Sequence, residues 1–448
     1  MHRVTARLRV PGSRRLALFG LIGLFLCSLL VVPSGRAEAR PEAARPGPAA
    51  GAWVGTWATT PTAVPASDGT AFEDQTIRQV IHASVGGDAL RVRLTNEFGT
   101  GPLVVGEARV ALRADGGAGI RTKPGSDRPL TFGGSASVTV PAGAPALSDP
   151  VGLRVPDGAD LVISVYLPEH TPGGTVHAFA YQHNEVARGN VTARRELAGV
   201  ETIDRWYFLS GVSVHRHPAG RSAAVVTLGD SITDGATTTP GANRRWPDLL
   251  ALRLRKAPGL RDLGVLNQGI SGNRLLHDPN PPAGHPAEGY AAYFGESALR
   301  RFDRDVASQP GAEYLVVLLG VNDLGHPGTV APESERVSAQ DIIGGHRQLI
   351  ARAHEQGMRV FGATITPFWG DTLGFHSPEN EAARQEINAW IRTGGEFDAV
   401  IDFDAAVRDP RQHERLAPRY DSGDGLHPND AGMRAMADAV PLSLFRTR

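Results

Sequence analysis

From Trp53 to about Pro218 the chain alternates apolar and polar positions with a period of two. Leu90, Val92 and Leu94 interleave with Arg91, Arg93 and Thr95, and Val138 and Val140 flank Thr139. Leu161, Ile163 and Val165 interleave in the same way with Val162, Ser164 and Tyr166. This is the pattern of strands with two distinct faces. Turn clusters at Gly86-Gly87-Asp88, Asp115-Gly116-Gly117 and Pro156-Asp157-Gly158 separate the runs. No helix-period stretch of useful length interrupts them, so residues 53–218 are predicted to form a β-sandwich-like accessory domain.

After Arg221 the rhythm changes. Short apolar runs at 223–228, 264–267, 314–319, 359–365 and 399–403 read as buried strands. Helical patterns lie between or after them, clearest at 342–354, 381–391 and 430–444. Apolar strands alternating with helices predict a parallel sheet covered on both faces, an α/β fold over residues 222–448. In such sheets ligands bind outside the carboxyl ends of the strands. That is where chemistry should be sought.

The start of the chain has a different character. Arg3, Arg7, Arg9, Arg14 and Arg15 precede an apolar run from Leu16 to Val32, followed by Pro33-Ser34-Gly35 and the small-x-small triplet Ala37-Glu38-Ala39. Residues 1–39 therefore read as a signal peptide cleaved after Ala39, which predicts secretion. An uncleaved anchor is the alternative, although the run is at the short limit for spanning a bilayer. Residues 40–52, rich in Pro, Ala and Gly, read as a linker. The single cysteine of the 448 residues, Cys27, lies inside the apolar run after bulky Leu26, unlike a lipidated cysteine. The mature chain then has no cysteine, which excludes disulfides and cysteine-based zinc sites. With 46 Lys and Arg against 47 Asp and Glu, the charge balance recommends no nucleic-acid partner.

At the predicted strand ends the polar residues form four groups. Gly229-Asp230-Ser231-Ile232-Thr233-Asp234-Gly235 follows the first strand and puts a serine hydroxyl at a strand-to-helix turn. Ile270-Ser271-Gly272-Asn273 follows the second, a tight backbone able to present an N–H. Gly320-Val321-Asn322-Asp323 follows the third and brings a side-chain amide. Asp424-Gly425-Leu426-His427 follows the fifth, with a carboxylate three residues before an imidazole. Acyl transfer needs a nucleophile, a base, a carboxylate that orients the base, and donors for the oxyanion. The four groups supply each of these. Neither Gly-x-Ser-x-Gly nor a Gly-x-x-x-x-Gly-Lys phosphate loop occurs, and a lone serine at such a turn is more often a helix cap.

Taken together and in order, these blocks resemble the SGNH (GDSL-type) hydrolases, named for Ser, Gly, Asn and His. The matching residues are Ser231, Gly272, Asn322 and the pair Asp424 and His427, with Ile232 in place of the Leu of the family nickname. The resemblance covers residues 222–448. It implies a three-layer α/β/α, flavodoxin-like fold and hydrolysis of acyl esters without a cofactor. The β-rich front half is similar in general pattern to that of secreted members likened to modular xylan esterases. The function expected is a secreted serine esterase acting on short acyl esters of small molecules or polysaccharides. A lipase or phospholipid acyl hydrolase is the alternative, and a carbohydrate-binding protein with a vestigial site a third.

Other polar and aromatic residues are given lesser roles. Asp230 is expected to secure its turn, Asp323 to fix its loop, and Asp430 to cap the last helix. His277, His285, His326 and His376 lie in Gly/Pro-rich loops without zinc-ligand spacing, and His326 is the best placed to touch substrate. Trp246, Phe368 and Trp369 are divided between core packing and lining of an acyl pocket. The front half is expected to be a structural wall beside the active site.

Overall fold

The computed structural model describes residues 52–114, 119–216 and 222–446. The expected signal peptide, almost all of the linker and the junction at 217–221 lie outside the described residues.

The front half is built of antiparallel sheets. A six-stranded one contains β2 (Gln75–His82), β4 (Glu107–Leu112), β5 (Arg128–Pro129), β7 (Asp160–Leu167), β8 (Asn184–Arg188) and β9 (Glu201–Ile203), in the order β9-β8-β2-β7-β4-β5. A four-stranded one runs β1 (Ala52–Ala58), β10 (Leu209–Arg216), β3 (Ala89–Thr95) and β6 (Pro145–Leu147). Leu90, Val92 and Leu94 of β3 and Ile77, Ile81, Ile163 and Val165 of the larger sheet meet in one apolar core. Period-two patterning has this result when two sheets bury one face against each other.

The centre of the larger sheet is buried on its other face as well. Arg78 is buried there, Asn184 is buried at the start of β8, and both are satisfied: Arg78 donates to Ser164 Oγ and to the Thr192 and Arg194 carbonyls, and Asn184 accepts from Val80 N–H. Buried polar groups persist only when bonded in this way.

The back half holds a five-stranded parallel sheet in the order β12 (Leu263–Gly269), β11 (Ala223–Gly229), β13 (Ala312–Leu318), β14 (Arg359–Ala363) and β15 (Ala399–Ile401). Every residue of β11 is buried, Thr227 included, as a central strand covered on both faces requires. Gly229 pairs in register with Gly269 on one side and Leu318 on the other, so three strands end level. Their following loops therefore share one rim, and the strand order reverses between β11 and β13, which opens a crevice there.

Helices α1 (Ser231–Asp234), α2 (Trp246–Lys256), α3 (Ala298–Phe302), α4 (Val321–Gly325), α5 (Ala339–Glu355), α6 (Pro378–Thr393), α7 (Phe403–Val407) and α8 (Asp430–Ala439) surround the sheet. The last helix is shorter than its apolar pattern predicts. Pro441 disfavours the helical conformation of Val440, whose ψ is 116°, and the chain resumes as a 3₁₀ turn at Leu442–Phe445. Its cap is Asn429, which accepts from the Ala431 and Gly432 N–H groups, and not Asp430. Asp430 instead accepts from Thr239 and pairs with Arg244.

The two halves meet along β1 and β12. The Gly55 N–H donates to the Pro310 carbonyl at 2.8 Å, and a Cβ on Gly264 would lie 2.1 Å from the Gly55 oxygen. Only a glycine lets the backbones approach so closely. Ser84 Oγ accepts from Val265 N–H and donates to the Thr56 carbonyl. Val54 of the front half and Val226, Leu228 and Leu266 of the back belong to one apolar cluster.

Candidate active site

Ser231 stands at the first turn of α1, one residue past the end of β11 and its cap. The cap is Asp230, whose Oδ1 accepts from Ile232 N–H at 3.0 Å, so its side chain secures the turn as expected. Burial raises the Asp230 carboxyl to about 7, against the opposing Ile232 N–H and the charge of His427.

His427 Nε2 lies 2.9 Å from Ser231 Oγ, and its Nδ1 lies 2.6 Å from Asp424 Oδ2. The other carboxylate oxygen of Asp424 accepts from the backbone N–H groups of Leu426 and His427. Partial burial pushes the Asp424 carboxyl upward. The hydrogen bond and charge of His427 and the two N–H groups outweigh it and hold Asp424 well below the usual carboxylate range. Asp421 accepts from the Gly423 and Gly425 N–H groups and shapes the same loop.

Gly272 has φ +80°, and a Cβ there would meet the Phe294 ring at 2.1 Å. Both facts require glycine. Among the described residues no backbone carbonyl accepts from its N–H. Asn322, buried in α4, donates from Nδ2 to the Asn273 carbonyl at 2.9 Å, which leaves its second amide proton. Its neighbour Asp323 accepts from Leu275 N–H at 2.7 Å and Leu276 N–H at 2.9 Å, and so fixes the loop after β12.

The remaining candidates separate clearly. Trp246 is fully buried against Phe403, and Phe368 is also core. Trp369 is 39% exposed, with the Arg415 guanidinium over its ring, on a loop whose Thr372 N–H donates to the Asp424 carbonyl. His285 caps a short 3₁₀ turn through Nδ1. His326 is buried between Phe294 and Phe375, and burial with the charge of Arg274 lowers it to about 3, so it is neutral. No group of three or more His, Cys, Asp and Glu among the described residues is placed to hold a metal ion. No helix among them is long and apolar enough to cross a membrane.

Sequence reasoning missed the residues that the front half sends to this site. His177 reaches Asp234 at the end of α1, Tyr181 lies 3.3 Å from Ser271 Oγ, and Thr60 bonds Gln268 of β12. None sits in a motif. No local signal marks them.

Residues 227–435 match the model of the GDSL-like Lipase/Acylhydrolase family, from the middle of β11 into α8. The back half of the chain is thus an SGNH (GDSL-type) domain, and the class of enzyme it defines is a carboxylic ester hydrolase. Solved structures similar to this half include a GDSL-like lipase from Bacteroides thetaiotaomicron, at 18% identity and TM-score 0.33, covering 48% of this chain and 84% of its own. The aryl esterase of M. smegmatis matches at 18% and 0.36, over 49% and 96%. Axe2, an acetylxylan esterase from Geobacillus stearothermophilus, matches at 19% and 0.36, over 50% and 94%. No curated protein matches the chain. The family assignment rests on the sequence match.

Proposed function

We propose that the protein is a secreted serine esterase that hydrolyses short acyl esters, carbohydrate-linked acetyl esters foremost, through Ser231, His427 and Asp424. The observation that carries this reading is His427 lying within hydrogen-bond reach of both Ser231 and Asp424. Neutral His427 takes the proton of Ser231 as Oγ attacks the ester carbonyl, then returns it to the departing alcohol. Asp424 fixes the tautomer and stabilises the imidazolium without accepting the proton. The backbone N–H groups of Ser231 and Gly272 and the free amide proton of Asn322 receive the oxyanion. Water attacks the acyl-serine with the same base and frees the acid.

The preference for short acyl groups is supported by the Phe294 ring packed directly against Gly272, with His326 and then Phe375 behind it. Secretion is supported by the basic-then-apolar start of the chain and its Ala37-Glu38-Ala39 triplet. A lipid acyl hydrolase is the second reading, favoured by exposed Trp369 and Leu373 on the loop beside Asp424.

Nitrophenyl esters from acetyl to palmitoyl, assayed beside acetylated xylan, test both readings. Acetyl preference with release of acetate from the polymer supports the first. A maximum at palmitoyl overturns it in favour of the second. A fluorophosphonate probe should label the protein on the peptide containing Ser231, and labelling that survives Ser231→Ala removes that residue from the mechanism.

A further inference from the structure

Asp234, the last residue of α1, is buried beneath the rim. Its Oδ2 accepts from the Ser271 N–H at 2.9 Å and from the Ser271 hydroxyl at 2.7 Å. Ser271 precedes Gly272, so this carboxylate ties the turn that presents the Gly272 N–H to the helix that carries Ser231. The tie is tight: a Cβ on Gly269 would lie 2.3 Å from the Asp234 nitrogen. The backbone carbonyl of Asp234 also accepts from Arg245 Nε at 2.9 Å.

The other oxygen of Asp234 does not face its own half of the chain. Oδ1 lies 3.0 Å from Nε2 of His177, a buried residue of the front half. His177 Nδ1 donates to the Thr60 carbonyl at 2.9 Å, since a carbonyl only accepts. Both ring nitrogens thus face acceptors, and a hydrogen bond at Nε2 requires one proton held between imidazole and carboxylate. Trp206 covers the ring at 5.5 Å. The Thr60 hydroxyl in turn bonds Gln268 of β12, and Tyr181, held at φ +45°, places its hydroxyl 3.3 Å from Ser271 Oγ. A bulky residue at positive φ is strained and persists where its surroundings fix it.

We propose that His177 is a positioning residue for the hydrolytic reaction: through Asp234 and Ser271 it holds the Gly272 N–H in line with Ser231. The front half is on this view part of the catalytic apparatus. The proposal rests on the reading of Ser231 as nucleophile and Gly272 as oxyanion donor. Nothing about His177 requires it to touch substrate. Its effect is on the register of two loops, so it should move kcat far more than KM.

The conservative variant follows from the bonding. In Asp234→Asn, Oδ1 keeps both bonds from Ser271 while Nδ2 donates to a neutral His177 that still bonds Thr60. Asp234→Ala loses all three bonds. The experiment measures kcat, KM and melting temperature on nitrophenyl acetate for His177→Ala, His177→Gln, Asp234→Ala and Asp234→Asn in the full chain, with Ser231→Ala alongside. His177→Ala and Asp234→Ala should lose about 10²-fold in kcat, the scale expected for a 1 Å misplacement, with KM within about threefold. Asp234→Asn should stay within about fivefold of the parent. His177→Gln, which keeps one donor and can fold where the alanine variant does not, should fall between. A folded His177→Ala or His177→Gln with unchanged kcat overturns the proposal. So does loss in Asp234→Asn equal to that in Asp234→Ala, or a rise in KM with kcat intact. If Ser231→Ala retains activity, the nucleophile reading itself has failed; inactive Ser231→Ala beside fully active His177 variants sinks only the role of His177.

Discussion

The two halves solve burial differently, and the difference explains where the chemistry sits. The back half buries apolar strands on both faces and also encloses Arg301 and Arg384, yet it sets Ser231, Gly272 and Asn322 past the strand ends, where β11, β12 and β13 stop level. The front half buries polar side chains inside its larger sheet, Arg78 and Asn184 among them, and satisfies each with backbone partners. Its polar groups are therefore committed to structure. In the back half Ser231 and His427 meet on that rim, within hydrogen-bond reach of each other. What the front half adds is reach: Thr60, His177 and Tyr181 extend from it to the loops behind the rim.

The largest test of this contrast is to separate the halves. A fragment of residues 222–448 would expose Leu266, buried against Gly55, and would leave Arg301 without Thr60. We expect it to aggregate or to melt without cooperativity, with no fluorophosphonate labelling. A soluble, fully reactive fragment would show the halves to be independent.

Within the back half, Ser231→Ala and His427→Ala should each lower kcat by roughly 10⁶-fold while circular dichroism stays unchanged. Asn322→Ala comes next. Loss of an oxyanion donor predicts a fall of about 10²–10³ in kcat. The lost bond to the Asn273 carbonyl, about 1 kcal/mol, predicts a drop in melting temperature of a few degrees. A kcat near normal in the folded variant would reduce Asn322 to a loop tie.

The smallest expected effect concerns Asp230. Its folded carboxyl is raised to about 7, so between its unfolded value near 4 and about 7 the native state binds more protons than the unfolded one. Stability from this group is present at low pH and declines as pH rises through that window. Asp230→Asn keeps an acceptor for Ile232 N–H and removes the charge. Its melting temperature should match the parent near pH 4 and exceed it by a few degrees at pH 7–8. Equal melting curves across that range would show that Asp230 carries no such burden.

Much of the back half was legible because each part is local. Ser231, Gly272 and Asn322 each fall within four residues of a strand end, and Asp424 stands three residues before His427, so all five stand out from sequence alone. The last helix was overrun because its apolar period continues past Ala439, while Pro441 stops the backbone. Asp430 follows Pro428-Asn429 and reads as a cap, but it is already the first helical residue; the extended Asn429 before it folds its side-chain oxygen back onto the Ala431 and Gly432 N–H groups. The front half gave its strand pattern and nothing of its contacts. His177 and Asp234 are 57 residues apart, and no spacing rule joins a histidine in a two-residue strand to a helix end.

Arg301 carries a consequence for how the enzyme comes into being. Its guanidinium is wholly enclosed and takes Thr60 Oγ1, the carbonyls of Gly229 and Gln268, Asn273 Oδ1 and Asp305 as partners. Thr60 and Arg301 are 241 residues apart, so this knot closes only after long stretches of chain have found their places. Closures of that span are slow. On refolding from denaturant, helix content should return first and hydrolysis last, at the rate at which the knot is tied. Catalysis is then a report that the whole chain has folded, and a partly assembled molecule releases no product.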